Sequence, residues 1–388
     1  MWPASDCRVI VAGLENDTRV TAAGEYVANR RTRIGVLTGG GDCPGLNAAI
    51  RAIVKAARIE FGCEVIGIED GFKGLVEDQT TALNHEAIRG ILAVGGTVLG
   101  TTNRADPFRY LCPDGVERDL SRQALDNAAR LGLDALIVVG GDGSLRIAGQ
   151  LGDMGLPVIG VPKTIDRDVM GTDETIGFDT ARSICVDAVD RLDSTAEAHD
   201  RVMVLEVMGR ESGFLALDAA IAGGADAVLI PEIPWDSEAL VENIRNRRGR
   251  GRVHGVVVVA EGARRSGGAV SVQQERIPGR GEVKLGGAAT VAADAIAEKV
   301  ELEVRVTNLG HLQRGGAPSA ADRILAARFG VAAARLAAAR ARNRFVALRN
   351  GAIVDVPLGE AQGRRRVDPH GELTHMARSL GISFGEKV

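Results

Sequence analysis

The chain has 388 residues, too many for one ordinary hydrophobic core, so two domains are the economical expectation. Its composition, 45% hydrophobic, 25% charged and 3% aromatic with 50 glycines, is that of a globular protein, and a formal net charge of -4 gives no single-sign field to argue for a nucleic-acid or acidic-membrane partner. Five scattered cysteines with no C-x-x-C pair exclude a disulfide framework and a zinc knuckle; with no apolar run of membrane-span length and no basic, then apolar, leader, the expected location is the cytoplasm.

Residues 1–31 have mixed polarity and weak periodicity and read as an N-terminal extension. From Arg33 the chain alternates short apolar runs that end in glycine with segments of three- and four-residue apolar spacing. The runs are "RIGVLTGGGD", "EVIGIEDG", "DALIVVGGDGS", "LPVIGVPKT", "RVMVLEVMGR", "DAVLIPE", "HGVVVVAEGA" and "RVTNLGHLQRGG"; "PGLNAAIRAIVKAARIEFG" and "SLRIAGQLGDMG" carry the helical spacing. Strand, glycine turn, helix, repeated, predicts an α/β fold of mostly parallel sheet covered on both faces. Two stretches break the pattern and read as exposed loops, "RNRRGRGRVHG" (245–255) and "RRSGGAVSVQQERIPGRGEVKLGG" (264–287). The Ala- and Arg-rich stretch 321–344 reads as a surface helix.

Ligands of such sheets bind beyond the carboxyl ends of the strands, where the polar residues of this chain concentrate. In "LTGGGDCPGLNAAIRAI" (37–53) a strand ends at Thr38, and the glycines that follow form either a phosphate cradle or a plain tight turn. The spacing is neither G-x-x-x-x-G-K-[ST] nor G-x-G-x-x-G; Pro44 stands where a third glycine would belong, which weighs against a dinucleotide-binding dehydrogenase. "VVGGDGSLRIA" (138–148) sets Asp142 among glycines, either as a helix cap or as a carboxylate that meets a polyphosphate through magnesium. In "VPKTIDRDVMGTDETIGFDTA" (161–181) Asp166 and Asp168 are expected to point to opposite sides of an extended loop, one taking a proton from a hydroxyl while the other helps hold metal or structure. Arg210, His311 and Arg314, joined by Arg201 and Arg305, make five donors suited to a sugar phosphate.

Taken together, "LTGGGDCPGLNAAIR", "GGDGS", "PKTIDRD", "GTDETIGFDTA", "EVMGR", "AEGA" and "LGHLQRGGAPSAADRILAARFG" resemble the 6-phosphofructokinase family, in its order and spacing, over residues 33–350. The resemblance implies phosphoryl transfer to the 1-hydroxyl of fructose 6-phosphate in a cleft between two doubly wound, mostly parallel-sheet domains. The larger, donor-binding domain would comprise 32–177 plus 313–363, and the smaller, sugar-phosphate-binding domain 178–312 plus 364–388. Asp166 matches the general base, Thr164 and Asp168 its neighbours, and Arg104, in "GTTNRADPF", the arginine that neutralises the transferring group. Gly40, Gly41, Gly141, Asp142, Gly143, Ser144 and Lys163 match the donor site, with Asp142 handling Mg2+. Met208, Gly209, Arg210, Glu261, His311 and Arg314 match sugar contacts. Arg201 and Arg305 resemble the pair that reaches the 6-phosphate from a neighbouring subunit, which implies a homodimer or homotetramer with shared active sites.

Three departures qualify the match. The family has Asn between its two aspartates; Arg167 stands there, either pairing with Asp166 or Asp168 and weakening the base, or pointing away. Lys55, Gln79 and Asp193 replace basic positions of the family's effector site, so no phosphorylated effector is expected. The residues associated with donor choice disagree: Gly143 is typical of ATP users, Lys163 of pyrophosphate users. Gly143 carries more weight, because a carboxylate there would repel a nucleotide's α-phosphate, whereas Lys163, read as a long mobile cation, tolerates either donor. The alternatives are pyrophosphate as donor, another acceptor such as sedoheptulose 7-phosphate, or a non-catalytic subunit of the same fold.

Overall fold

The structure is a computed structural model and describes residues 30–249, 254–274 and 284–387. Residues 1–29 of the expected extension, and parts of both expected loops, lie outside the described residues.

The first half contains β1 (Arg33–Gly39), α1 (Leu46–Phe61), β2 (Glu64–Ile68), α2 (Phe72–Glu77), β3 (Thr80–Ala82), β4 (Tyr110–Leu111) and β5 (Glu117–Arg118). It continues with α3 (Ser121–Arg130), β6 (Ala135–Gly140), α4 (Asp142–Asp153), β7 (Val158–Pro162) and α5 (Phe178–Ala198). Then come β8 (Val202–Val207), α6 (Phe214–Gly223), β9 (Ala227–Leu229), α7 (Ser237–Gly249), β10 (Gly255–Ala260), β11 (Val272–Gln274) and β12 (Lys284–Leu285). The chain closes with α8 (Ala288–Ala297), β13 (Val304–Asn308), α9 (Ala320–Ala338), β14 (Arg344–Arg349), β15 (Ala352–Pro357) and α10 (Glu372–Ser379).

Two sheets organise these elements. A seven-stranded sheet runs β15-β14-β7-β6-β1-β2-β3, parallel except for the antiparallel edge strands β15 and β3. A four-stranded sheet runs β13-β8-β10-β9 and is parallel throughout. Parallel strands buried on both faces need unbroken apolar runs, and β6 (ALIVVG) and β10 (GVVVVA) are buried at every position. α1 and α9 cover one face of the large sheet and α2 to α4 the other; α5 and α6 back one face of the small sheet, α7 and α8 the other.

The chain crosses between the sheets three times: from β7 into α5, from β13 into α9, and from β15 to the C-terminal segment, where Ser383 bridges to Ala227 of β9.

Two expectations need correction. The stretch 321–344 is no surface helix: α9 buries Ala326, Phe329, Ala333, Ala334 and Ala337, and its small residues let it press onto α1. A Cβ at Gly330 would lie 2.7 Å from the Ala52 Cβ and 3.0 Å from the Ala49 carbonyl oxygen, closer than any larger residue permits. The second concerns the expected loops. α7 continues to Gly249, and β11 and β12 pair as an antiparallel ribbon, so both have regular structure within the described residues.

Candidate active site

Gly39 lies opposite Gly140, and Gly140 opposite Pro162, so β1, β6 and β7 end in register and their following loops emerge side by side. In the small sheet Val207 is opposite Ala260 and Glu206 opposite Asn308, which aligns the ends of β8, β10 and β13 in the same way. The two sets of loops line a shared cleft of about 1540 Å³.

On the large-sheet side, α4 starts at Asp142 with Gly141 as its N-cap, turning its first-turn N–H groups toward the cleft as an anion site. Ser144, in that turn, packs down onto the strand ends; a Cβ at Gly140 would lie 2.4 Å from the Ser144 Cβ. A Cβ at Gly143, by contrast, would meet nothing within 4 Å, so that position is open. Gly40 and Gly41 form the neighbouring wall, and the Thr101 hydroxyl donates to the Gly40 carbonyl at 2.6 Å. Arg104 lies on the same 101–106 loop and lines the cleft.

Lys163 is not the mobile cation expected. It is 3% exposed, and its Nζ donates to the Gly41 carbonyl beneath the glycine loop. Burial, foremost, pulls its pKa below the ordinary lysine value. The register of β7 sets this: Lys163 is the first residue past the strand and its stem passes under the loop after β1.

The expected opposition of Asp166 and Asp168 is also overturned, because both carboxylates line the same cleft. Residues i and i+2 of an extended segment share a face, and the residue between them turns the other way. That residue, Arg167, adopts φ 55 and points away from the cleft. Its Nε donates to the Asp173 carbonyl at 3.0 Å, and its guanidinium pairs with Glu174 at 2.6 Å and Asp218 at 3.7 Å, 5.1 Å from the Phe178 ring and 5.6 Å from that of Phe214. A left-handed turn that Asn tolerates is here held open to Arg by side-chain anchors, and neither aspartate is neutralised by it.

Asp166 is half-buried as a residue, but its Oδ1 is sealed from solvent and has no hydrogen-bond partner among the described residues. Burial pushes its pKa up to about 7, reinforced by Asp168 and Glu261 and opposed by Arg314 and Arg364. Asp168 is raised too, chiefly by burial, with the Thr164 hydrogen bond working against the rise and the Asp142 charge adding to it. Thr164 Oγ1 accepts the Asp166 N–H at 3.1 Å, fixing the loop.

On the small-sheet side Met208, Arg210, Glu261, His311 and Arg314 line the cleft. Gly209 sits behind them with φ 138. Buried Gln313 holds the group together: its Oε1 accepts the Met208 N–H at 3.1 Å, and its Nε2 donates to the Gly310 carbonyl at 2.9 Å. Arg314 reaches across to donate to the Asp42 carbonyl at 3.1 Å, over Gly41, where a Cβ would lie 2.9 Å from its Nη1.

The five expected sugar-phosphate donors do not form one cluster. Arg201 precedes β8 and Arg305 lies within β13; both pair with Glu303 at the end of the sheet away from the cleft. The length of β8, roughly 20 Å, separates them from Met208 and Arg210.

Several cleft residues escaped the sequence reading. Glu206 and Asn308 line the cleft as a pair, Glu206 also accepting the Ala289 N–H at 2.9 Å to cap α8. Arg146 lines it paired with Asp106 at 3.1 Å. Arg364, in "GRRRVDP", lines it beside Asp142 at 3.7 Å. Glu206, Asn308 and Arg146 lie inside marked runs whose glycine ends drew the reading to their neighbours, and the arginine run around Arg364 reads as solvated surface.

Among the described residues no group of three or more His, Cys, Asp or Glu could hold a metal alone. Asp142 with donor phosphates nonetheless suits Mg2+, which is bound through one or two carboxylates plus substrate oxygens.

The family model described as Phosphofructokinase matches residues 33–337. The chain is 49% identical over 364 residues, 93% of its length and 100% of the relative's, to a Chloroflexus aurantiacus protein named ATP-dependent 6-phosphofructokinase. It is similar to Pichia pastoris phosphofructokinase in the T-state, with a TM-score of 0.74 and 34% identity over 87% of this chain and 36% of that longer one. A pyrophosphate-dependent phosphofructokinase from Nitrosospira multiformis shares the fold, with a TM-score of 0.75 and 20% identity, covering 90% of each chain. On the extent of these matches, and with the cleft residues where the shared motifs fall, this chain belongs to the phosphofructokinase family.

Proposed function

We propose that this chain transfers the terminal phosphoryl group of ATP to the 1-hydroxyl of fructose 6-phosphate. The observation that carries the reading is a single cleft in which an open helix N-terminus at Gly141–Ser144 accompanies a carboxylate, Asp166, one oxygen of which is buried and unpartnered. Asp166 takes the hydroxyl proton as the sugar oxygen attacks phosphorus; the electron pair of the broken P–O bond leaves with ADP. Backbone N–H groups of Gly40, Gly41 and the first turn of α4, with Arg104, hold the donor phosphates. Thr164 and Asp168 shape the base loop, while Met208, Gly209, Arg210, Glu261, His311 and Arg314 orient the sugar. Asp142 would hold Mg2+, which when bound offsets phosphate charge.

The relatives' names and the open Gly143 both favour ATP over pyrophosphate. Lys163 fits either donor as a buried cation supporting the glycine loop. The same reading includes a homodimer or homotetramer in which Arg201 and Arg305 serve a neighbour's cleft, a cytoplasmic location, and a division into 32–177 plus 313–363 and 178–312 plus 364–388. No described helix is long and apolar enough to cross a membrane.

A coupled assay with magnesium, ATP or pyrophosphate, and fructose 6-phosphate or sedoheptulose 7-phosphate tests this in one plate. Turnover with ATP and fructose 6-phosphate is expected; sugar-phosphate binding without turnover on either donor would mark a non-catalytic subunit. The pH profile adds a second check. A base must be deprotonated to act, so with the Asp166 pKa of the free enzyme raised to about 7, kcat/KM for fructose 6-phosphate should climb through neutral pH rather than level off above the usual carboxylate range near 4. An acid limb at the ordinary aspartate value would refute Asp166 as a desolvated base.

A further inference from the structure

Arg364 belongs to no motif that led to the cleft, yet it occupies the junction of its two sides. Its Nε lies 3.7 Å from Asp142 Oδ2 at the start of α4, and its Nη1 pairs with Glu211 in the loop after β8. It lines both the large cleft and an adjoining pocket of about 170 Å³ that holds Asp166, Arg210 and Glu261. Its charge reaches both base-loop aspartates and holds each below the pKa that burial alone would set.

The backbone fixes it there. Arg364 forms an antiparallel bridge with Val169, and the Arg365 N–H donates to the Asp168 carbonyl at 2.8 Å, so this segment lies along the base loop. Arg365 anchors the far side, its guanidinium 5.0 Å from the Phe214 ring and its Nη1 donating to the Asp173 carbonyl at 2.8 Å. Fold stability does not explain the placement. Arg364 and Glu211 are 31% and 40% exposed, a degree at which an ion pair contributes little, and Glu211 already has Arg366 at 3.2 Å.

We propose that Arg364 is a further catalytic residue, a guanidinium delivered by the C-terminal crossing segment that contacts the phosphoryl group as it passes from the Asp142 side to the hydroxyl held by Asp166. This rests on the phosphoryl-transfer reading above. A planar fork fits two phosphoryl oxygens and strengthens its hold as their charge redistributes in the transition state. Arg364 thereby complements Arg104, which approaches from the 101–106 loop.

The test compares purified full-length wild type with Arg364→Ala, Arg364→Met, Arg364→Lys and the adjacent control Arg366→Ala. Arg364→Ala and Arg364→Met should lower kcat by about a hundredfold to a thousandfold, with both KM values within about threefold and melting temperature unchanged. Arg364→Lys keeps the charge without the fork and should fall between; Arg366→Ala should stay near wild type. Calorimetric titration with a non-hydrolysable ATP analogue should give similar affinity for all variants. If Arg364→Ala fails to fold, Arg364→Met, which keeps the stem, decides. The proposal is overturned if kcat stays within threefold in the Arg364 variants, if the loss lies wholly in KM, or if Arg366→Ala loses as much. Lack of phosphoryl transfer by the wild type would instead remove the reading beneath it.

Discussion

Replacing Gly143 with aspartate is expected to cut kcat/KM for ATP about a thousandfold while the protein stays folded. A new carboxylate about 4 Å from a nucleotide's α-phosphate costs on the order of 4 kcal/mol at an effective dielectric near 20, and each 1.4 kcal/mol is about tenfold. Two features make the experiment clean. The side chain would project into open space, with nothing within 4 Å of its Cβ. Gly143 also lies in the first turn of α4, where an acid favours the helix. Steady-state kinetics with ATP and with pyrophosphate, beside a melting curve, report donor use and folding separately. ATP kinetics equal to wild type would show that the open position does not govern the donor.

Asp166→Asn should lower kcat by about a hundredfold to ten-thousandfold, the usual range for loss of a general base, with KM for fructose 6-phosphate little changed. The same variant makes a stability prediction of defined sign. The folded pKa of Asp166 lies above its unfolded value, so the native state binds the proton more tightly and the wild type loses stability as pH rises from about 4 towards 7. Asparagine removes that loss, and at pH 8 the variant should melt no lower than wild type. A variant that is both fully active and less stable would mean that the carboxylate is structural.

What could be seen in the sequence follows from how locally each feature is encoded. Unbroken apolar runs such as ALIVVG and GVVVVA mark strands covered on both faces, and glycines beside an acid mark the turns that follow them. The glycine turns that carry Gly40, Gly41 and Asp142 to the cleft were therefore legible from local sequence. Long-range packing was not. Nothing in the spacing of 320–338 distinguishes a solvent-facing helix from one pressed onto α1, because alanine suits both and only the neighbour's small residues decide. Lys163 looked mobile for the same reason: the carbonyl that captures it belongs to a loop 122 residues away. Arg167 depended on Asp218 and on the Phe178 and Phe214 rings, from α5 and α6, and Arg201 and Arg305 on the length of β8. The misjudged orientation of Asp166 and Asp168 was different in kind, since period-two geometry already sets both on one side.

The three passages of the polypeptide between the sheets bear on how so polar a gap can persist. A cleft lined by opposing charges and wet glycine turns supplies little adhesion, and two lobes joined by one tether would rely on apolar contact to stay matched. Here the lobes are held together away from the cleft, by one continuous apolar cluster in which α1 and α9 meet α5, by the Thr180 N–H of α5 donating to Asp322 of α9 at 2.8 Å, and by three tethers that keep the lobes at high effective concentration, so the facing walls are free to be chosen for chemistry instead of stickiness.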